Sequence, residues 1–298
     1  MILLTGASGF IGKHLLLQLI KKYGKSNVIA LTSRPIDECN YILHNNFQFD
    51  SDFLINHGYI NIKTIIHAGA FTPKNGSQAN DVNLSNSNIY STEKLLNLTL
   101  PYVRNFIFLS TLDVYDNAEI ISENTSEKPI SLYGFSKLYC EKMVEQWGIK
   151  NNKVAQILRI GHVYGPGEEA YQKIIPISIN KILNKESLQI WGTGNELRSF
   201  IYINDVVNAI INSLEITEGL GIINLVSNQS ISINELISKL IKISKKEVEI
   251  INIPTNLSSR SLVFDNTKMI NWLLKKETNL DDGLNEEFEY MKTKYFNQ

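Results

Sequence analysis

Three glycines in one seven-residue turn, Gly6-Ala7-Ser8-Gly9-Phe10-Ile11-Gly12, constrain this chain more than any other stretch. They follow directly on Ile2-Leu3-Leu4-Thr5, a short apolar run fit for a buried parallel strand. A helical pattern comes next, with Ile11, Leu15, Leu16, Leu19, Ile20 and Tyr23 on one face and Gly24 closing it. Val28-Ile29-Ala30-Leu31-Thr32 supplies a second strand and completes a strand–helix–strand unit. In that setting the glycines let the backbone turn sharply and approach a phosphate. The first N–H groups and the positive end of the helix then face a pyrophosphate. Gly6, Ser8, Gly9, Phe10, Ile11 and Gly12 are therefore expected to hold a dinucleotide cofactor.

The end of the second strand bears on which one. An acid there takes the ribose 2′-hydroxyl of NAD, whereas an arginine accommodates the 2′-phosphate of NADP. The sequence is Leu31-Thr32-Ser33-Arg34-Pro35, with no acid before Asp37. Ser33 and Arg34 point to NADP, with NAD left open.

Further along, residues 36–62 read as irregular, with a poor strand near 47–49 and a helix near 51–57. Lys63 to His67 reads as a strand running into the small-residue turn Ala68-Gly69-Ala70, where a cofactor can sit close; His67, Ala68 and Gly69 are counted with the cofactor site. A long helix opens at Asn83 and stops at Pro101. Phe106 to Thr111 is another buried strand, with polar Ser110 and Thr111 where it leaves the sheet. Ligands in an open α/β sheet gather at the carboxyl ends of strands, so Thr111 is placed to hydrogen-bond a substrate oxygen. Val154 to Ile160 is a further strand. Gly161-His162-Val163-Tyr164-Gly165-Pro166-Gly167 breaks the pattern and marks a domain transition. Shorter elements follow, among them a strand near 222–225, and the tail from 265 is helical and charged.

Tyr133 and Lys137 stand four residues apart on a helix that runs to Trp147-Gly148, and so share a face. A free phenol titrates near pH 10, too high to trade protons readily at neutrality. A nearby ammonium stabilises the phenolate and draws that value down, which makes the pair a tuned proton donor or acceptor.

Composition removes several classes. With 29 basic and 30 acidic residues, nothing marks a surface for nucleic acid. Cys39 and Cys140 form no close pair, so neither a metal site nor a disulfide framework is expected. No apolar run approaches the ~20 residues of a membrane span, and no basic-then-apolar leader opens the sequence. The expectation is a cytoplasmic protein without a membrane partner.

Taken in order, Gly6/Gly9/Gly12, His67-Ala68-Gly69-Ala70, Asn83, Ser110-Thr111-Leu112-Asp113-Val114-Tyr115, Tyr133/Lys137, Val163-Tyr164-Gly165-Pro166-Gly167 and Arg198-Ser199-Phe200-Ile201-Tyr202 resemble the extended short-chain dehydrogenase/reductases. Within them the chain is similar to the nucleotide-sugar branch, the NAD-dependent epimerase/dehydratase family. The resemblance implies an α/β fold: a Rossmann doubly wound parallel sheet with a smaller, partly discontinuous C-terminal α/β substrate domain. Residues 1–165 would form the dinucleotide-binding domain, with segments near 199–225 returning to it. Residues 166–298 would mainly bind a nucleotide-diphosphate sugar. By the same resemblance, Tyr133 is the acid/base, and Lys137 holds the nicotinamide ribose and lowers the tyrosine pKa. Thr111 polarises the reacting oxygen, Ile160 and His162 lie near the nicotinamide, and Arg198 and Arg260 hold the diphosphate. It also implies a homodimer built on the helices after Asn83 and around 133–147, and use of the product in surface-polysaccharide synthesis.

The departures narrow the reaction. Similar 4,6-dehydratases carry adjacent Asp and Glu after the Thr, and 3,5-epimerising members carry a Cys there; this chain has Leu112-Asp113. Two activities remain: reduction of an NDP-4-keto-6-deoxyhexose at C4 with NADPH, and NAD-dependent 4-epimerisation. Ser33-Arg34 favours the reductase.

Overall fold

A computed structural model of the chain describes residues 1–255 and 260–296. Its strands are β1 (Ile2–Thr5), β2 (Val28–Thr32), β3 (Asn40–Leu43), β4 (Thr64–His67), β5 (Asn105–Thr111), β6 (Val154–Ile160), β7 (His162–Tyr164), β8 (Leu188–Trp191), β9 (Leu197–Tyr202), β10 (Ile222–Leu225), β11 (Ser230–Ser232) and β12 (Ile250–Ile253). Its helices are α1 (Phe10–Tyr23), α2 (Phe53–Asn56), α3 (Gly76–Ala79), α4 (Val82–Leu96), α5 (Leu132–Asn151), α6 (Ile174–Leu183), α7 (Ile203–Ser213), α8 (Ile233–Ser244), α9 (Thr267–Trp272) and α10 (Leu280–Phe296).

Seven strands form one sheet in the order β10-β6-β5-β4-β1-β2-β3, every neighbouring pair parallel. The chain leaves β1 outward to β2 and β3, then returns to start β4 on the other side of β1. The carboxyl ends of β1 and β4 therefore flank the point where the winding reverses, where a doubly wound sheet binds its ligand. The strands are apolar on both faces because both faces are covered: β1 and β2 are buried along their whole length. One face packs against α1 and α7, the other against the paired helices α4 and α5.

Local chemistry sets where the site helices begin. The Asp81 side chain accepts from Leu84 N at 2.9 Å to cap α4, and Ser131 Oγ accepts from Gly134 N at 3.1 Å to cap α5. The second cap places Tyr133 and Lys137 in the first turns of α5, at the mouth of the sheet. α4 ends at Leu96, short of Pro101.

The expected strand near 47–49 is absent. Asn46 and Phe47 take left-handed backbone (φ 47° and 58°), which no strand tolerates. Phe49 instead stacks on Phe53 at 4.8 Å. The third strand lies earlier, at Asn40–Leu43, on the sheet edge with only Ile42 buried. β7, β9 and β11 make a three-stranded sheet, and β8 pairs with β12. α7 and β10 belong to the large sheet: α7 packs on α1, and Leu225 pairs with Ile160.

Candidate active site

The glycine turn fits against the exit of β4 with no room for side chains at two of its three glycines. Gly6 has φ 73°, and a Cβ there would lie 2.6 Å from Gly69 N. At Gly12 it would lie 1.9 Å from Gly6 O. The turn closes through Gly9 N to Gly6 O at 2.9 Å, leaving the first N–H groups of α1 directed outward.

His67 braces this contact from below. Thr92 Oγ1 donates to Asn88 O at 2.8 Å, so its contact with His67 Nε2 at 3.2 Å makes that ring nitrogen the donor. Nδ1 is then the acceptor from Thr5 Oγ1 at 2.8 Å, and Thr5 Oγ1 in turn accepts from Gly69 N at 2.9 Å. Burial, with the Lys137 ammonium nearby, pulls the His67 pKa to about 3, so the ring is neutral. His67 lies beneath the site, whereas Ala68 and Gly69 line it.

A cavity of about 450 Å³ opens over the turn, walled by Gly6, Ser8–Gly12, Ala68–Ala70, Leu109–Thr111, Tyr133, Lys137 and Ile160. A second hollow of about 690 Å³ shares Gly6, Ser8, Gly69 and Ala70 with it and runs over Thr32, Ser33, His44 and Phe47. The two hollows meet at those four shared residues as one trough beside the reversal point. Ser33 lines its outer end, and Arg34 reaches back so that Nη2 donates to Ser8 O at 3.2 Å.

Tyr133 is buried, and burial raises its pKa above the ordinary value, with the Asp113 carboxylate adding to the rise. The hydroxyls of Thr111 and Thr72 act the other way. Lys137 does not supply the lowering expected of it here. Its ammonium donates to Leu109 O at 2.6 Å and lies 4.1 Å from the centre of the Phe108 ring, turned toward β5. Burial lowers the Lys137 pKa to about 8, opposed by Cys140 and Glu141. Thr111 Oγ1 accepts from Asp113 N at 3.2 Å, and the same hydroxyl bonds the Asp113 carboxylate and the Tyr133 phenol. Leu112 packs against Val114 and Val226 in an apolar cluster beside the site.

On the β7–β9 side the cations converge. Arg198 Nη1 donates to Leu197 O at 2.9 Å and to Arg260 O at 2.7 Å, so the two arginines lie together. His162 lies beside them: burial, then Lys173, Arg198 and Arg260, lower its pKa to about 4. Its Nδ1 has no hydrogen-bond partner among the described residues. Ile160 lines the cavity, and His162 sits in the adjoining cation cluster. Sequence reasoning overlooked Thr72 and Pro73 on one lip and Tyr171, Gln172 and Lys173 on the other. These are brought in by long-range packing, and only the preceding Gly165-Pro166-Gly167 turn hinted at a nearby loop.

The profile of the NAD dependent epimerase/dehydratase family matches residues 2–225. The chain is 33% identical to a dTDP-D-glucose 4,6-dehydratase of Dictyostelium discoideum over 82% of its own length and 62% of that protein. It is 28% identical to the trifunctional RHM2 of Arabidopsis thaliana over 97% of its own length and 46% of that protein, so it spans about half to three fifths of these relatives. An Escherichia coli dTDP-4-dehydro-6-deoxyglucose reductase is 27% identical with 98% of both chains covered. Among solved structures, MoeE5 in complex with UDP-glucose and NAD superposes with a TM-score of 0.85 at 26% identity, covering 98% of this chain and 99% of that one. A UDP-glucuronic acid 4-epimerase from Bacillus cereus, in complex with UDP-glucuronic acid and NAD, gives 0.82 at 27% identity with 99% of both chains covered. The profile match runs from β1 to the last strand of the large sheet, and the chain belongs to the NAD dependent epimerase/dehydratase family.

Proposed function

We propose that the chain reduces an NDP-4-keto-6-deoxyhexose at C4 with NADPH. The observation that carries this reading is Leu112 beside Thr111, Tyr133 and Lys137. The position where a dehydratase needs a proton-transferring acid holds an alkyl group packed against Val226. The E. coli reductase, which matches end to end, supports the same reaction class. A nicotinamide cofactor, bound in the trough, supplies the hydride. Tyr133, held protonated by its burial, donates the proton that the C4 oxygen gains. Thr111, whose hydroxyl bonds the Asp113 carboxylate and Tyr133 at the cavity wall, turns its proton to that oxygen when substrate binds. Lys137 offers an ammonium for the cofactor ribose, and Arg198 and Arg260, with His162 and Lys173, hold the diphosphate. The decisive experiment follows NADPH oxidation with a panel of 4-keto nucleotide sugars; no turnover across the panel would overturn the reading. A 4-epimerase is the second reading, favoured by the B. cereus neighbour. Tightly held NAD, released when the purified protein is denatured, would select it.

Arg34 carries the cofactor preference. Arg34→Ala is expected to weaken NADPH binding about tenfold or more and NADH binding less than about threefold, since one charge-assisted contact to a phosphate is removed. Titrating both cofactors checks this, and equal losses would remove Arg34 from the 2′-phosphate. A homodimer is part of the same reading. Val82, Phe135 and Tyr139, 59%, 53% and 57% exposed, line an apolar groove between α4 and α5 that a second copy would cover. Sedimentation of the purified chain tests it, and a monomer at micromolar concentration would refute it. No helix among the described residues is long and apolar enough to cross a membrane.

A further inference from the structure

We infer that Glu141 is a positioning residue, whose buried carboxylate clamps together the three elements that present Tyr133 and Lys137, Thr111, and Ile160 to the cavity. The inference rests on the roles proposed above for Tyr133, Lys137 and Thr111.

Glu141 lies four residues beyond Lys137 and eight beyond Tyr133 on α5, and therefore on the same face. It is wholly buried, as is its partner Arg159. Its Oε1 accepts from Ser110 Oγ and from Arg159 Nε at 3.0 Å, and its Oε2 accepts from Arg159 Nη2 at 2.6 Å. Ser110 immediately precedes Thr111 on β5, and Arg159 immediately precedes Ile160 on β6. Those two donors are register partners across the sheet. One carboxylate thus ties α5 to the carboxyl ends of two adjacent strands, one residue back from the cavity wall on each. Lys137 makes a parallel tie, from Nζ to Leu109 O, the residue before Ser110.

Arg159 is itself held. Its Nη2 also reaches the Glu127 carboxylate, and its guanidinium lies 4.5 Å from the centre of the Tyr115 ring. Tyr115 OH donates to Asn224 Oδ1 on β10 at 2.8 Å. A buried ion pair is a poor way to gain stability alone, because apolar side chains of equal volume often do as well. What it adds is directional bonding, which fixes the rotation and axial position of α5. The cluster also sets the charge environment of Lys137. The groups facing that ammonium are Cys140 and Glu141 on its own helix, His67 on β4, and the Phe108 ring and Leu109 carbonyl on β5. Of these, Glu141 is the carboxylate that opposes the effect of burial on Lys137.

The test compares Ser110→Ala, Ser110→Thr and Glu141→Gln with the unaltered chain. It reads thermal stability, kcat and KM for NADPH-dependent turnover, and the Lys137 titration by carbon NMR of lysine-labelled protein, assigned with Lys137→Met. Ser110→Ala and Glu141→Gln are expected to lower kcat about ten- to hundredfold, with KM within about threefold, as for a misplaced reacting group. Ser110→Thr keeps the hydroxyl and should stay within about threefold of the unaltered chain. The Lys137 midpoint should fall in Glu141→Gln by about one unit, because the opposing charge is gone. Unchanged kcat per folded molecule in both Ser110→Ala and Glu141→Gln, or an unmoved Lys137 midpoint, would overturn the clamp. If Glu141→Gln does not fold, the Ser110 pair decides, since neither change leaves a buried charge unpaired. If the unaltered chain turns over no nucleotide sugar, the proposed function fails, while the Lys137 midpoint still decides the clamp.

Discussion

Tyr133→Phe is expected to lower kcat by about 10²–10⁴ while the protein stays folded. The substitution removes one oxygen and keeps the ring, whose edge-to-face contact with Phe71, 6.2 Å between centres, does not involve the hydroxyl. The oxygen lies in the cavity wall within reach of the Thr111 and Thr72 hydroxyls and carries a proton it can give to the substrate. Its pKa, raised by burial and by Asp113, keeps it protonated through the neutral range, so the proton to be donated is present in the resting state although it is held more tightly than by a free phenol. A reductase therefore uses the group in its resting state. KM should change little, because the lost interaction strengthens only as charge develops on the substrate oxygen. The measurement is steady-state turnover of the variant with reduced cofactor and 4-keto sugar. Turnover within a few-fold of the unaltered chain would remove Tyr133 from the chemistry.

The parts of the site legible in the sequence are those held by local spacing. Gly6, Gly9 and Gly12 sit in a turn whose geometry is dictated within seven residues, and Tyr133 and Lys137 share a face because a helix puts them there. Thr111 follows from the rule that ligands lie beyond the carboxyl ends of strands. The readings that shifted depend on contacts distant in sequence. Lys137 is near Tyr133, yet its ammonium is taken by the Leu109 carbonyl, 28 residues away, which spacing on α5 does not reveal. His67 precedes the small-residue turn, but its two ring nitrogens are committed to Thr5 and Thr92, so it supports the wall without joining it. β3 escaped notice because an edge strand with one buried residue shows no alternation, while Phe47 and Phe49 mimic a strand and serve as core plugs under β4. Tyr171, Gln172 and Lys173 reach the cavity over a loop with no periodicity of its own.

Gly12→Ala is expected to cost both stability and cofactor binding. The added methyl would stand 1.9 Å from Gly6 O and 2.7 Å from Gly6 C, and both atoms belong to backbone, so no rotamer change relieves the clash. Gly6 cannot retreat, because it already lies against the Ala68–Gly69 backbone at a distance that excludes a Cβ of its own. The start of α1 must therefore move off the exits of β1 and β4. Overpacking of this kind costs about 1–3 kcal/mol, and a backbone-on-backbone clash belongs at the upper end. Because the same movement redirects the outward N–H groups of α1, cofactor affinity should fall by at least about 100-fold, the equivalent of about 2.7 kcal/mol. Gly24→Ala separates the two effects. Gly24 has φ 84° and ψ 148° with nothing within 4 Å of an added Cβ, so its cost is conformational strain of about 1–3 kcal/mol at the far end of the helix. That variant should melt earlier yet bind cofactor normally. Gly12→Ala binding cofactor as tightly as Gly24→Ala would show that the turn is not the phosphate cradle, whatever its effect on stability. Loss of binding confined to Gly12→Ala would tie the close approach of Gly12 to Gly6 directly to the cofactor.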